Sequence, residues 1–98
     1  GSAPAYFFLF MEAMEKTAIE LGLSQEVARK LILQTALGAA KMAIENGAEP
    51  AELRRRVTSP AGTTEAAINT FLEGDILGLF DKAMTSCVRR AKELAKEA

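Results

Sequence analysis

The sequence predicts an all-α fold of about five helices, and three observations predict it. Apolar residues recur three and four positions apart through most of the chain. No stretch sustains the alternation of a half-buried strand. Helix-start and helix-stop residues punctuate the pattern at Ser24, Gly22, Gly47, Pro50, Gly74 and Asp75. The 98 residues allow one domain, taken here as a single helical unit over 1–98.

The first helix is expected from Ser2, as its cap, to about Leu21. Pro4 suits its first turn, where the missing N–H would be unpaired anyway. Gly22 ends it. Its first half, "AYFFLFM", is apolar on every side, and such a helix is buried on every side. Ser24 caps the second helix, with Glu26 in its first turn. That helix carries Val27, Leu31, Ile32, Leu37, Met42 and Ile44 to Gly47. Within it "ALGAAKMA" (36–43) consists mostly of small residues, over which another helix can pass closely. Pro50 opens a short third helix, with Leu53 and Val57 facing inward. A fourth, roughly Thr64 to Glu73, is expected to bury Ala67, Ile68, Phe71 and Leu72 before Gly74. Asp75 caps the fifth, whose Leu77, Phe80, Met84, Cys87, Ala91 and Leu94 form a narrow heptad stripe. The last nine residues are charged enough to fray.

Composition narrows the function classes. Hydrophobic residues make up 49%, and the seven glycines raise the apolar share to about 56%, above the usual ~45–50%. A chain this small buries only about two-thirds of its unfolded surface. The excess points to burial against a second copy. The expected dimer contacts are Tyr6, Phe7, Phe8 and Phe10 on the first helix and Leu77, Phe80 and Met84 on the fifth. The net charge of −1 gives no field for nucleic acid or an anionic membrane, so neither is an expected partner. The apolar run Ala3–Met11 is far short of the ~20 residues that cross a bilayer. A single cysteine, Cys87, fits a reducing cytoplasm. It sits on the heptad stripe, and the chain has no histidine to activate it or to bind a metal. No catalytic residue and no metal site are therefore expected. Paired carboxylates among Glu12, Glu15, Glu20 and Glu26 lie among lysines. The run Arg54-Arg55-Arg56 fans around a helix beside Glu49 and Glu52 and reads as a solvated face.

The segment "VTSPAGTT" (57–64) does not fit the plain connection of a helical protein. Ser59-Pro60-Ala61-Gly62 matches a type I turn that delivers Thr63 and Thr64 to a helix start. Helix starts offer unpaired N–H groups and a positive dipole end, which favour an anion. Two readings stay open: an anion site using Ser59, Thr63 and Thr64, or a helix simply capped by one threonine.

"VTSPAGTTEAAI" resembles the signature of pyrroline-5-carboxylate reductase, the last enzyme of proline biosynthesis, where the family pattern reads closely as Ser-Pro-Gly-Gly-Thr-Thr. "GSAPAYFFLFMEAM" resembles the segment that opens the family's C-terminal helical domain, and "LGAAKM" and "SCVRRAKEL" also fit. The resemblance covers essentially the whole chain. It implies an interlocked helical dimer of the kind formed by the C-terminal domain of 6-phosphogluconate dehydrogenase. It implies further that Ser59, Thr63 and Thr64 hold the carboxylate of 1-pyrroline-5-carboxylate, or of its product proline. The reduction uses NAD(P)H, held by an upstream Rossmann domain. No Gly-x-Gly-x-x-Gly occurs here, so no cofactor-binding residue is expected in this chain, and the chain alone is expected to be inactive. Ala3 and Ala61 stand where the family has glycine. A purely structural self-associating module is the competing reading. A helical domain from another member of the wider dehydrogenase group is a third, and the Ser-Pro loop argues against it.

Overall fold

A computed structural model describes residues 1–97 as five helices with no strand among them. They are α1 (Ala3–Glu20), α2 (Gln25–Asn46), α3 (Pro50–Arg56), α4 (Thr63–Glu73) and α5 (Ile76–Glu97). The all-α expectation holds, and each boundary falls within a residue or two of its sequence signal. The contacts divide into two compact units, Gly1–Pro50 and the chain from Ala51 onward.

In the first unit α1 packs on α2. Ser2 already has helical backbone angles and its side chain does not cap α1, contrary to expectation. A capping side chain needs the extended backbone, which Ser24 has. Its hydroxyl accepts the Val27 N–H at 3.2 Å. Between these helices Gly22 adopts φ 115. The Gly22 N–H donates to the Ile19 carbonyl at 3.0 Å and the Leu23 N–H to the Ala18 carbonyl at 3.1 Å. Those two bonds are a Schellman closure, which satisfies the last carbonyls of α1.

The packing seam is narrower than expected. Met11, Glu15 and Ala18 of α1 are half-buried, as are Ile32 and Ala36 of α2, and Ala28 is fully buried. Small residues let the backbones approach there. Val27, Leu31, Leu37, Met42 and Ile44, expected as the apolar face, are exposed instead. The seam carries one bidentate ion pair: Arg29 Nη2 and Nε donate to Glu15 Oε1 and Oε2 at 2.8 and 3.1 Å. The guanidinium, chiefly through its hydrogen bond, holds the Glu15 carboxyl below the usual carboxylate range.

In the second unit α4 packs on α5. Ile68, Ile76, Phe80 and Cys87 are half-buried. Ala67, Phe71, Leu72 and Val57, expected inward, are exposed, as are Leu77, Met84, Ala91 and Leu94 of the heptad stripe. One helix against one other covers only part of each apolar surface. The α4–α5 corner turns on Asp75 at φ 57, not on Gly74, whose φ is −78. Asp75 then caps α5 as expected, its Oδ1 accepting the Gly78 N–H at 3.2 Å. Gly78 lacks the Cβ that would come within 2.2 Å of that carboxylate. The charged end of α5 stays helical to Glu97. Arg90 pairs with Glu93 at 2.9 Å and with Glu97 at 3.7 Å, and Ala98 lies outside the described residues.

Candidate functional site

The segment 57–64 finishes one helix and starts another. At the end of α3 the Val57 and Thr58 N–H groups donate to the Arg54 and Arg55 carbonyls, and the Thr58 hydroxyl donates to the Arg54 carbonyl at 2.6 Å. Two of the three arginines are committed locally. Arg55 donates to Glu52 Oε2 at 2.6 Å, and Arg56 lies 3.4 Å from Glu52 Oε1. The Arg55 hydrogen bond is the main cause that lowers the Glu52 pKa. This is the solvated face expected of that run.

The turn itself differs from expectation. The Gly62 N–H donates to the Ser59 carbonyl at 3.1 Å, closing Ser59-Pro60-Ala61-Gly62. Ala61 has φ 60. Positive φ at the third position belongs to a type II turn, not type I. A non-glycine residue there costs on the order of 1 kcal/mol. The Ala61 N–H is held by Glu65, whose Oε1 accepts it at 3.1 Å. Sequence reasoning missed this bond, although Glu65 stands three residues after Gly62, the position from which an acid reaches back over a helix start.

α4 starts one residue earlier than expected, at Thr63, with Gly62 in the cap position and no side-chain cap. Neither threonine caps the helix, so that reading of the pair does not hold. Thr63 and Thr64 are the first two helical residues. Their N–H groups, and the hydroxyls of Ser59, Thr63 and Thr64, have no partner among the described residues. Open donors thus gather at the positive end of α4.

The other expected contacts belong to α1 and α5. Phe7, Phe8, Leu77 and Met84 are 63, 65, 67 and 52% exposed, and Phe10 is exposed too. Tyr6 and Phe80 are half-buried. Phe7 and Phe10 meet edge to face at 6.5 Å. Among the described residues 22 large apolar side chains are exposed and Ala28 alone is buried. Glu12, Glu15, Glu20 and Glu26 form no metal-type cluster among the described residues, and Glu15 is engaged by Arg29.

Comparison with known proteins identifies the family. Residues 1–94 match the family described as pyrroline-5-carboxylate reductase dimerisation. The chain is 56% identical over 97 residues to a pyrroline-5-carboxylate reductase of Pseudomonas aeruginosa, covering 99% of this chain and 36% of the relative. It is 45% identical over 97 residues to the one of Methanosarcina acetivorans, again covering 99% and 36%. The structure of the Coxiella burnetii enzyme superposes with a TM-score of 0.92 at 53% identity, over 96% of this chain and 35% of that one. The Plasmodium falciparum enzyme, solved with NADP bound, superposes with a TM-score of 0.82 at 28% identity, over 85% and 32%. The chain therefore spans about a third of the length of the relatives it matches, and it belongs to the pyrroline-5-carboxylate reductase dimerisation family.

Proposed function

We propose that this chain is the self-associating part of a pyrroline-5-carboxylate reductase and that it holds the substrate's carboxylate. The full-length enzyme reduces 1-pyrroline-5-carboxylate to L-proline with NAD(P)H. The single observation that carries the carboxylate role is the group of open donors at the start of α4. There two backbone N–H groups and three hydroxyls lie beside a positive helix end, with no partner among the described residues. A carboxylate placed there gains charge-assisted hydrogen bonds and orients the ring that carries it.

The homodimer is proposed on the exposed apolar set and on the family's description, with Tyr6, Phe7, Phe8, Phe10, Leu77, Phe80 and Met84 in contact across copies. The two units then belong to one functional domain. In the full-length enzyme the cofactor is proposed to be held by a Rossmann domain, as the family resemblance implies. NAD(P)H supplies the hydride in the full enzyme. The cytoplasm is the proposed location. Among the described residues no helix is long and apolar enough to cross a membrane.

One observation favours a purely structural module instead. Glu65 already places a carboxylate of the chain on a loop N–H. Titration with proline, followed by amide NMR, separates the two readings. The carboxylate role predicts shifts confined to the loop, largest at Thr63 and Thr64. Ser59→Ala should then weaken binding about tenfold or more, because a bond to a charged group is worth roughly 1.5–3 kcal/mol. Thr63→Pro should weaken it further, since the first helical position tolerates proline while losing the N–H. No response to millimolar proline would leave the structural module as the better reading.

A further inference from the structure

Types I and II of a turn differ by a flip of the peptide between their second and third residues. In this loop that peptide joins Pro60 to Ala61, and its N–H is the one that Glu65 accepts at 3.1 Å. Alanine at the third position prefers type I, because left-handed backbone is disfavoured for it about five- to thirtyfold. The structure nevertheless has Ala61 at φ 60. Something must outweigh that preference. The other bond across the turn, Gly62 N–H to the Ser59 carbonyl at 3.1 Å, is common to both turn types and selects neither. The bond to Glu65 depends on the orientation of the flipped peptide. A hydrogen bond to a charged acceptor favours the conformation that makes it by roughly ten- to hundredfold. Glu65 itself is half-buried.

We propose that Glu65 is a positioning residue for this loop. Its carboxylate holds the Pro60–Ala61 peptide in the type II orientation and so fixes the approach of Ser59 to the open N–H groups of Thr63 and Thr64. The proposal rests on the carboxylate reading of the loop given above. Glu65 does not touch the ligand. It removes the Ala61 N–H from the set of open donors and leaves Thr63 and Thr64 to receive the anion. Glycine at 61 would adopt the same backbone without help, so the dependence on Glu65 follows from alanine at that position.

The test compares this chain with Glu65→Ala, Glu65→Gln, and Glu65→Ala combined with Ala61→Gly, after circular dichroism has confirmed equal helicity. Peptide orientation is read from the nuclear Overhauser effect between Pro60 Hα and the Ala61 amide proton, strong in a type II turn and weak in type I. Proline affinity is read from the Thr63 and Thr64 amides. Glu65→Ala should lose the strong effect and weaken proline about tenfold. Glu65→Gln, whose amide oxygen can still accept, should keep most of both. Adding Ala61→Gly to Glu65→Ala should restore both to within about threefold of the parent, because glycine carries no penalty at positive φ. Retention of the strong effect and of proline affinity in Glu65→Ala overturns the positioning role alone. Tighter proline binding in both single variants also overturns it and makes Glu65 a competitor of the ligand. No response of the parent chain to proline overturns the carboxylate reading, and the positioning role with it.

Discussion

The α1–α2 hairpin and the segment from Ser59 through α5 are incomplete in different ways. In the hairpin the local chemistry is settled. The left-handed residue is a glycine, Ser24 caps α2, and Glu15 meets Arg29 at 2.8 Å. What the hairpin lacks is cover, with Phe7, Phe8 and Leu9 each about 60% exposed. The second region lacks cover too, at Leu77 and Met84, and there the local chemistry itself is also unsettled. The left-handed residues are Ala61 and Asp75, and the donors of Thr63 and Thr64 are open. The kind of incompleteness indicates what is missing. Bare apolar surface calls for another apolar surface, while open donors at a helix start call for an anion.

The comparison breaks most readily at Phe8. Burying a phenylalanine is worth about 1.5–3 kcal/mol, and a symmetric dimer repeats it. Phe8→Asp should therefore raise the dimer dissociation constant at least about a hundredfold, seen as a later, concentration-dependent elution in size-exclusion chromatography. Unchanged elution would mean that the face of α1 carrying Phe8 is not the one that is covered.

Gly22 and Ala61 form a reciprocal pair. Gly22→Ala meets no atom within 4 Å, so its cost is backbone strain at φ 115, about 1–2 kcal/mol in urea denaturation. Ala61→Gly relieves a smaller strain at φ 60 and should stabilise by up to about 1 kcal/mol, partly offset by the extra freedom of the unfolded chain. Equal signs for the two substitutions would contradict the contrast between the regions.

Acid should act least, and through the ion pairs. Glu15 and Glu52 have folded pKa values below their ordinary ones. Their contribution is complete above the ordinary glutamate pKa of about 4.3 and is lost as pH falls through the lowered folded values. Melting temperature should therefore be flat near neutrality and decline below about pH 4.3, less steeply in Glu15→Gln. A decline of the same steepness in that variant would remove Glu15 from the account.

Helix boundaries were legible in the sequence because they rest on local residues: Gly22, Ser24, Gly47, Pro50 and Asp75 act through their own backbone or a side chain a few positions away. The inward faces were less legible. A pattern such as Val27, Leu31 and Leu37 says that a face is apolar but not which surface covers it, and the intrachain seam uses Ala28, Ile32 and Ala36. The loop was legible as a turn because Ser, Pro and Gly occupy turn positions. Its type was not, since alanine favours the orientation that the chain does not adopt. The deciding residue, Glu65, lies four positions beyond Ala61. Glu15 and Arg29 are fourteen positions apart on different helices, and no spacing rule joins them.

The central claim is that the exposed apolar set belongs to an interface with a second copy, and sedimentation equilibrium tests it most directly. At micromolar concentration the chain should sediment as a dimer, at twice its own 10.5 kDa, with full helicity. A well-folded, fully helical species of 10.5 kDa under the same conditions would contradict it.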